Sequence, residues 1–158
     1  MNAQIEPVPI PVPIPVSLWA SGYLGIPYDV AGESRSGANC WGFFRLVQRE
    51  VFGLHIPALG ISGADIKALL DAFHDHQPQH TPWRAHWRAL PLAQARSGDA
   101  LLFERRIGWP DHIGIALGCH LGEARVLHCI RGIGSLIEPI ERLKRHRWQH
   151  TTAWRHVP

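Results

Sequence analysis

Cysteine is scarce in this chain of 158 residues: Cys40, Cys119 and Cys129 are the only three. Three scattered thiols cannot build the paired framework of a small secreted scaffold, and an odd number leaves at least one free. Long apolar runs are also missing. None approaches the ~20 residues of a membrane helix, so no membrane insertion is expected. The N-terminus lacks a basic region followed by an apolar stretch, because IEPVPIPVPIPV is broken by proline at alternate positions. No signal peptide is expected, and the chain is expected to begin in the cytoplasm. Charge is modest as well, at 18% of residues, while 46% are hydrophobic. That balance excludes a disordered or collagen-like chain. The net charge of +3 weakly favours an acidic partner, such as nucleic acid or an anionic envelope polymer. The positive charge is densest only from Arg142 to Arg155, which reads as a solvated surface. No nucleic-acid-binding motif stands behind it.

The length suits one domain. Glu6 to Val16 alternates proline with valine or isoleucine and reads as an extended polyproline-II arm, so residues 1–16 are taken as a proline-rich N-terminal arm and 17–158 as a single domain. Ser17 to Leu24 has the composition of a short helix. A glycine- and serine-rich loop, GIPYDVAGESRSGANC, leads to a second helix over Trp41–Phe52, where Phe43, Phe44, Val47 and Val51 recur at three- and four-residue steps. Asn39 is its expected N-cap and Gly53 its stop. Ala64 to His76 reads as a further helix. His74, His76 and His80 follow it, but no fourth ligand completes a structural metal set, so no metal is expected. Trp83, Trp87 and Leu90 are expected to pack as a loop over the core. From Arg96 the pattern changes to strands: RSGDALLF, DHIGIALG and ARVLHCIRG are apolar runs separated by turns. GSLIEPIERL adds an extended piece or short helix, and HRWQHTTAWRHV is expected to close the chain as an edge strand. Helices first and strands later predict an α+β domain with an antiparallel sheet.

Cys40 stands where the loop becomes the second helix. Free N–H groups and the dipole at a helix start stabilise a thiolate, which predicts a lowered thiol pKa there. A nucleophile also needs a base and a polar group to orient that base. His112 begins an apolar strand after a loop, and His128 lies on the next strand in VLHC. If the two strands pair, both histidines can share one sheet face. Cys40, His112 and His128 are the candidates for nucleophile, base and orienter. Tyr28 lies in the loop before Cys40 and points into the site if that loop folds back.

Five motifs occur in order, PYDVAG, NCWG, GDALLF, HIGIALG and VLHC. Together they resemble the pattern of the NlpC-type cell-wall cysteine peptidases over roughly Trp19 to Gly132. CWGFFRLVQREVFGLHIP and the late WRH look most similar to the phage-tail branch of that family. The resemblance implies a compact papain-like fold, N-terminal helices on an antiparallel sheet, with Cys40 as nucleophile, His112 as general base and acid, and His128 as orienter. Tyr28, Trp41 and Asp111 are implied on the substrate and oxyanion side. Two positions depart from the usual pattern: Asn39 stands where Asp is common, and Trp41 where Ser is. The implied function is a phage or prophage tail-associated hydrolase. It would cut an amide of the peptidoglycan stem, between D-glutamate and the diamino acid, through a thiol acyl-enzyme and without a cofactor. Stem peptide and tail-tip proteins are the implied partners, with action in the virion tail or at the cell wall. The alternatives are a tail assembly component, an amidase or acyltransferase on the same scaffold, and an antibacterial toxin.

Overall fold

The structure, a computed structural model, describes residues 16–58, 86–120 and 123–158. The proline-rich arm through residue 15, the helix expected over 64–76, the histidines at 74, 76 and 80, and Trp83 lie outside the described residues.

The first helix, α1, covers Val16–Ser21. Two short strands, β1 (Glu33–Ser34) and β2 (Gly37–Ala38), form an antiparallel hairpin just before the main helix α2 (Cys40–Phe52). Both ends of α2 follow from its sequence. The Asn39 side chain accepts a hydrogen bond from the Gly42 N–H at 2.7 Å, satisfying one of the donors a helix start leaves unpaired. At the other end Gly53 takes the left-handed conformation, φ 67°, which a residue without Cβ adopts at little cost. Phe43, Phe44, Leu46 and Val47 are buried along one side. Gly42 must be small: a Cβ there would stand 2.2 Å from the Gly32 carbonyl oxygen and 2.9 Å from the Glu33 Cα. The backbone of the preceding loop therefore rests directly on the first turn of α2.

The remaining strands are β3 (Trp87–Leu90), β4 (Ala100–Arg106), β5 (Trp109–His120), β6 (Glu123–Ile130), β7 (Gly134–Pro139) and β8 (His150–His156). They form one antiparallel sheet in the order β3-β8-β4-β5-β6-β7. Two expectations are corrected here. The closing segment is not an edge strand but an inner one, flanked by β3 and β4. Trp87–Leu90 is not a loop but the strand that covers β8, with Trp87 opposite His156 and Leu90 opposite Ala153. Short 3-10 turns cover Leu92–Gln94 and Ile140–His146, so GSLIEPIERL is a strand followed by a helical turn.

Both faces of the sheet are buried. Leu102, Ile113, Ile115, Leu127 and Cys129 pack with α2, whereas Leu101, Phe103, Val126 and Ile130 pack with Ile140, Leu143 and Trp148 of the segment that follows β7. That is why the central strands read as continuous apolar runs instead of alternating ones.

Candidate active site

The site lies where the start of α2 meets the beginning of β5. Cys40 is the first residue of α2 and is buried. Its thiol is not lowered as a helix start alone predicts. Burial pushes it up to about 11, against the backbone N–H groups of Ile113, Trp41 and Cys40 itself, which favour the thiolate. Loss of hydration outweighs the helix terminus here. Ile113 directly follows His112, so the thiol rests on the strand that carries the candidate base.

A bulge sets the position of His112. Phe103 pairs with His112, Glu104 with Pro110 and Arg106 with Trp109, so the register skips Asp111 and Arg105. Bulges of this kind re-aim a side chain at a strand end. The two skipped residues pair with each other: Arg105 donates to Asp111 at 2.8 Å. The other Asp111 oxygen accepts from the Trp148 indole N–H at 2.6 Å, and the Arg105 guanidinium lies 4.8 Å from the Trp148 ring centroid. Trp148 in turn stacks on the His112 imidazole, centroids 4.2 Å apart and planes 13° from parallel. Arg105, Asp111 and Trp148 thus clamp the plane of the ring.

The edge of the ring is held as well. His112 Nε2 lies 2.8 Å from His128 Nδ1, and His128 Nε2 lies 2.9 Å from Glu138 Oε1. Both histidines are buried, His128 completely. Burial and the neighbouring His128 drive the His112 pKa well below its ordinary 6.5. Burial also lowers His128, against the pull of Glu138. The hydrogen bond from His128 holds the Glu138 carboxyl below its usual range. At neutral pH the row is a thiol, two neutral imidazoles and a carboxylate.

Gly114 makes room for this row. A Cβ there would stand 2.5 Å from Val126 Cγ2 and 3.1 Å from the His128 Cβ. Tyr28 bridges to Ala38, two residues before Cys40, and is half-buried. Its pKa is raised by burial and by the Cys40 and Cys129 thiols nearby, so it presents a neutral hydroxyl. Cys129 is buried beneath the same loop, its thiol donating to the Ala38 carbonyl at 3.2 Å.

The family pattern named NlpC/P60 matches residues 25–155, the greater part of the chain. The chain belongs to the NlpC/P60 family. Members of this family are cysteine peptidases that act on peptidoglycan. Among solved structures, the NlpC/p60 domain of the peptidoglycan hydrolase SagA is similar at 25% identity and a TM-score of 0.56, over 88% of this chain and 94% of that one. An NlpC/P60 family protein from Bacillus cereus is similar at 21% identity and a TM-score of 0.62, over 95% of this chain and 42% of that one. A lipoprotein-like NLP/P60 protein from Staphylococcus aureus gives 19% identity and 0.56, over 91% and 41%. The chain therefore spans less than half the length of the last two. No curated protein matches the sequence.

Within this NlpC/P60 domain the sequence-predicted residues do not all meet. Cys40, His112 and His128 lie at one place, and Tyr28 lies beside them. The Trp41 side chain does not reach the site: it is 1% exposed and its indole N–H donates to the Pro57 carbonyl, so only its backbone N–H contributes. The Asp111 carboxylate is engaged by Arg105 and Trp148, which makes it a buttress of His112. Asn39, in place of the common Asp, also donates from Nδ2 to the Val30 carbonyl at 2.9 Å, a bond a carboxylate could not make. Sequence reasoning missed Glu138 and Trp148. The signal for Glu138 lay in strand pairing: Val126 opposes Glu138 and His128 opposes Leu136, so Glu138 is the diagonal neighbour of His128.

Proposed function

We propose that this NlpC/P60 domain is a phage or prophage tail-associated endopeptidase that cuts the peptidoglycan stem between D-glutamate and the diamino acid. The observation that carries the reading is the Cys40 thiol at the first residue of α2, against the strand whose His112 is clamped in plane and edge. Cys40 is the nucleophile, His112 the base and acid, and His128 the orienter. With thiol and imidazole both neutral at rest, His112 removes the Cys40 proton as sulfur attacks the amide carbonyl. The Cys40 N–H, which has no intrahelical acceptor in the first turn, donates to the developing oxyanion. The imidazolium then protonates the leaving amine, and the thioester is hydrolysed by a water that the same imidazole deprotonates. Tyr28 presents its hydroxyl from the substrate side. The tail assignment rests on the CWG and late WRH similarity, and the net charge of +3 suits an anionic polymer. Tail-tip proteins are the proposed partners, with action in the virion tail or at the cell wall.

The test is digestion of purified Gram-negative peptidoglycan by wild type and Cys40→Ala, with fragments read by mass spectrometry. New amino termini on the diamino acid, present only with wild type, are expected. Fragments ending elsewhere would move the bond. No fragments, with the thiol still alkylated, would favour an assembly role.

A further inference from the structure

We propose that Glu138 is a positioning residue for the hydrolysis proposed above, on which this inference rests: its carboxylate fixes the tautomers of both buried imidazoles. An ionised carboxylate only accepts hydrogen bonds. Glu138 Oε1 stands 2.9 Å from His128 Nε2, so that nitrogen carries the proton. His128 Nδ1 is then a lone-pair acceptor, and it lies 2.8 Å from His112 Nε2, which must be the donor. A neutral imidazole carries one N–H, so His112 Nδ1 is left with a lone pair for the Cys40 proton. Reversing the row reverses the outcome. His128 Nδ1–H would donate to His112 Nε2, His112 would carry its proton on Nδ1, and the base would be blocked. Nothing else in the pair of rings chooses between the two states. The acceptor at the far end does.

The site is built for that task. Glu138 is 8% exposed and His128 fully buried, so water does not compete freely for either bond. His146 Nε2 approaches the same oxygen at 3.4 Å, and it steadies the carboxylate from the solvent side. When His112 becomes an imidazolium, the row lets Glu138 balance its charge through His128 without itself taking a proton.

The experiment compares wild type, Glu138→Ala and Glu138→Gln in two readouts: steady-state kinetics on peptidoglycan fragments, and nitrogen-15 NMR of the histidine rings in the free enzyme. Glu138→Ala is expected to lose about 100-fold or more in kcat with KM within about twofold, the signature of a misdirected base. Glu138→Gln keeps an acceptor oxygen and is expected to recover part of that loss. In the spectra, wild-type His112 is expected as the Nε2–H tautomer, shifting to a mixture in Glu138→Ala. If Glu138→Ala does not fold, the Gln variant and the wild-type tautomer still decide. A wild-type His112 protonated on Nδ1, or a folded Ala variant with kcat within about threefold of wild type, would overturn the proposal. A wild type that cuts no peptidoglycan would sink the hydrolase reading instead, because the tautomer measurement needs no substrate.

Discussion

At Cys40 two local effects oppose each other, and burial wins. The helix start and three N–H groups favour the thiolate, yet the thiol is pushed up to about 11, while His112 is driven well below 6.5. The free enzyme should therefore hold a neutral pair and not a preformed thiolate–imidazolium. Alkylation of Cys40 by iodoacetamide, read at that residue by peptide mass spectrometry because Cys119 and Cys129 also carry thiols, is expected to rise steadily with pH through neutrality towards about 11. A reactive plateau near pH 5 would contradict this. The base side has the opposite sign. His112 must be neutral to accept the proton, and a lowered pKa keeps it neutral to more acidic pH. The acid limb of kcat/KM is expected below pH 6.5, and a limb above 6.5 would sink the assignment. Cys40, His112 and His128 are legible in the sequence as candidates, by residue type and by their places at a helix start and on two strands. The sequence could not show their ionisation, because hydration is lost only once α2 and the sheet close around them.

Between elements, the contact to test is β5 against β6 at Gly114. A methyl there meets Val126 Cγ2 at 2.5 Å and the His128 Cβ at 3.1 Å, so Gly114→Ala must displace one or both. Overpacking of this kind costs about 1–3 kcal/mol. Any movement of His128 lengthens its 2.8 Å bond to His112. Gly114→Ala is expected to lower both Tm and kcat, and adding Val126→Ala should recover most of the Tm but less of the kcat. Full recovery of both would mean that His128 never moved. This glycine was legible as part of HIGIALG, although its reason was not. The same holds across the sheet. Periodicity showed α2 with both its caps, and turns delimited β4 and β6, because those signals are local; β5 instead begins at Trp109, inside the segment read as a loop before His112, and runs to His120. Strand order is not local. Nothing within Trp87–Leu90 indicates that it lies beside a strand some sixty residues later, and Glu138 gained meaning only from its register with β6. Trp148 likewise looked like one more aromatic in a basic segment until the bulge at Asp111 brought it over His112.

For the molecule as a whole, the sheet order makes the last strand an internal one. β8 lies between β3 and β4, so the sheet is incomplete until the end of the described chain has entered it. Two motifs noted separately in the sequence hold that strand in place. Asp99, of the GDALLF turn, accepts from Arg155 Nε at 2.9 Å and from Nη2 at 2.7 Å, and also from the Arg96 N–H at 2.7 Å. Arg155 belongs to the closing WRH. Asp99 is 5% exposed, whereas the Arg155 side chain is 25% exposed, so removing the arginine leaves a nearly buried carboxylate with one N–H. Breaking a fully buried pair costs about 3–5 kcal/mol, and partial exposure puts this one at or below the low end. Arg155→Ala is expected to cost about 2–3 kcal/mol, a fall of about 5–10 °C in Tm for a domain of this size. Asp99→Asn should cost less, since the charge it leaves unpaired is the partly exposed Arg155 guanidinium and not the nearly buried carboxylate. In a double-mutant cycle the combined loss should fall short of the sum by at least about 1 kcal/mol. Strict additivity would mean that the two residues stabilise the fold independently, and that the Asp99–Arg155 pair is not what holds β8 between its neighbours.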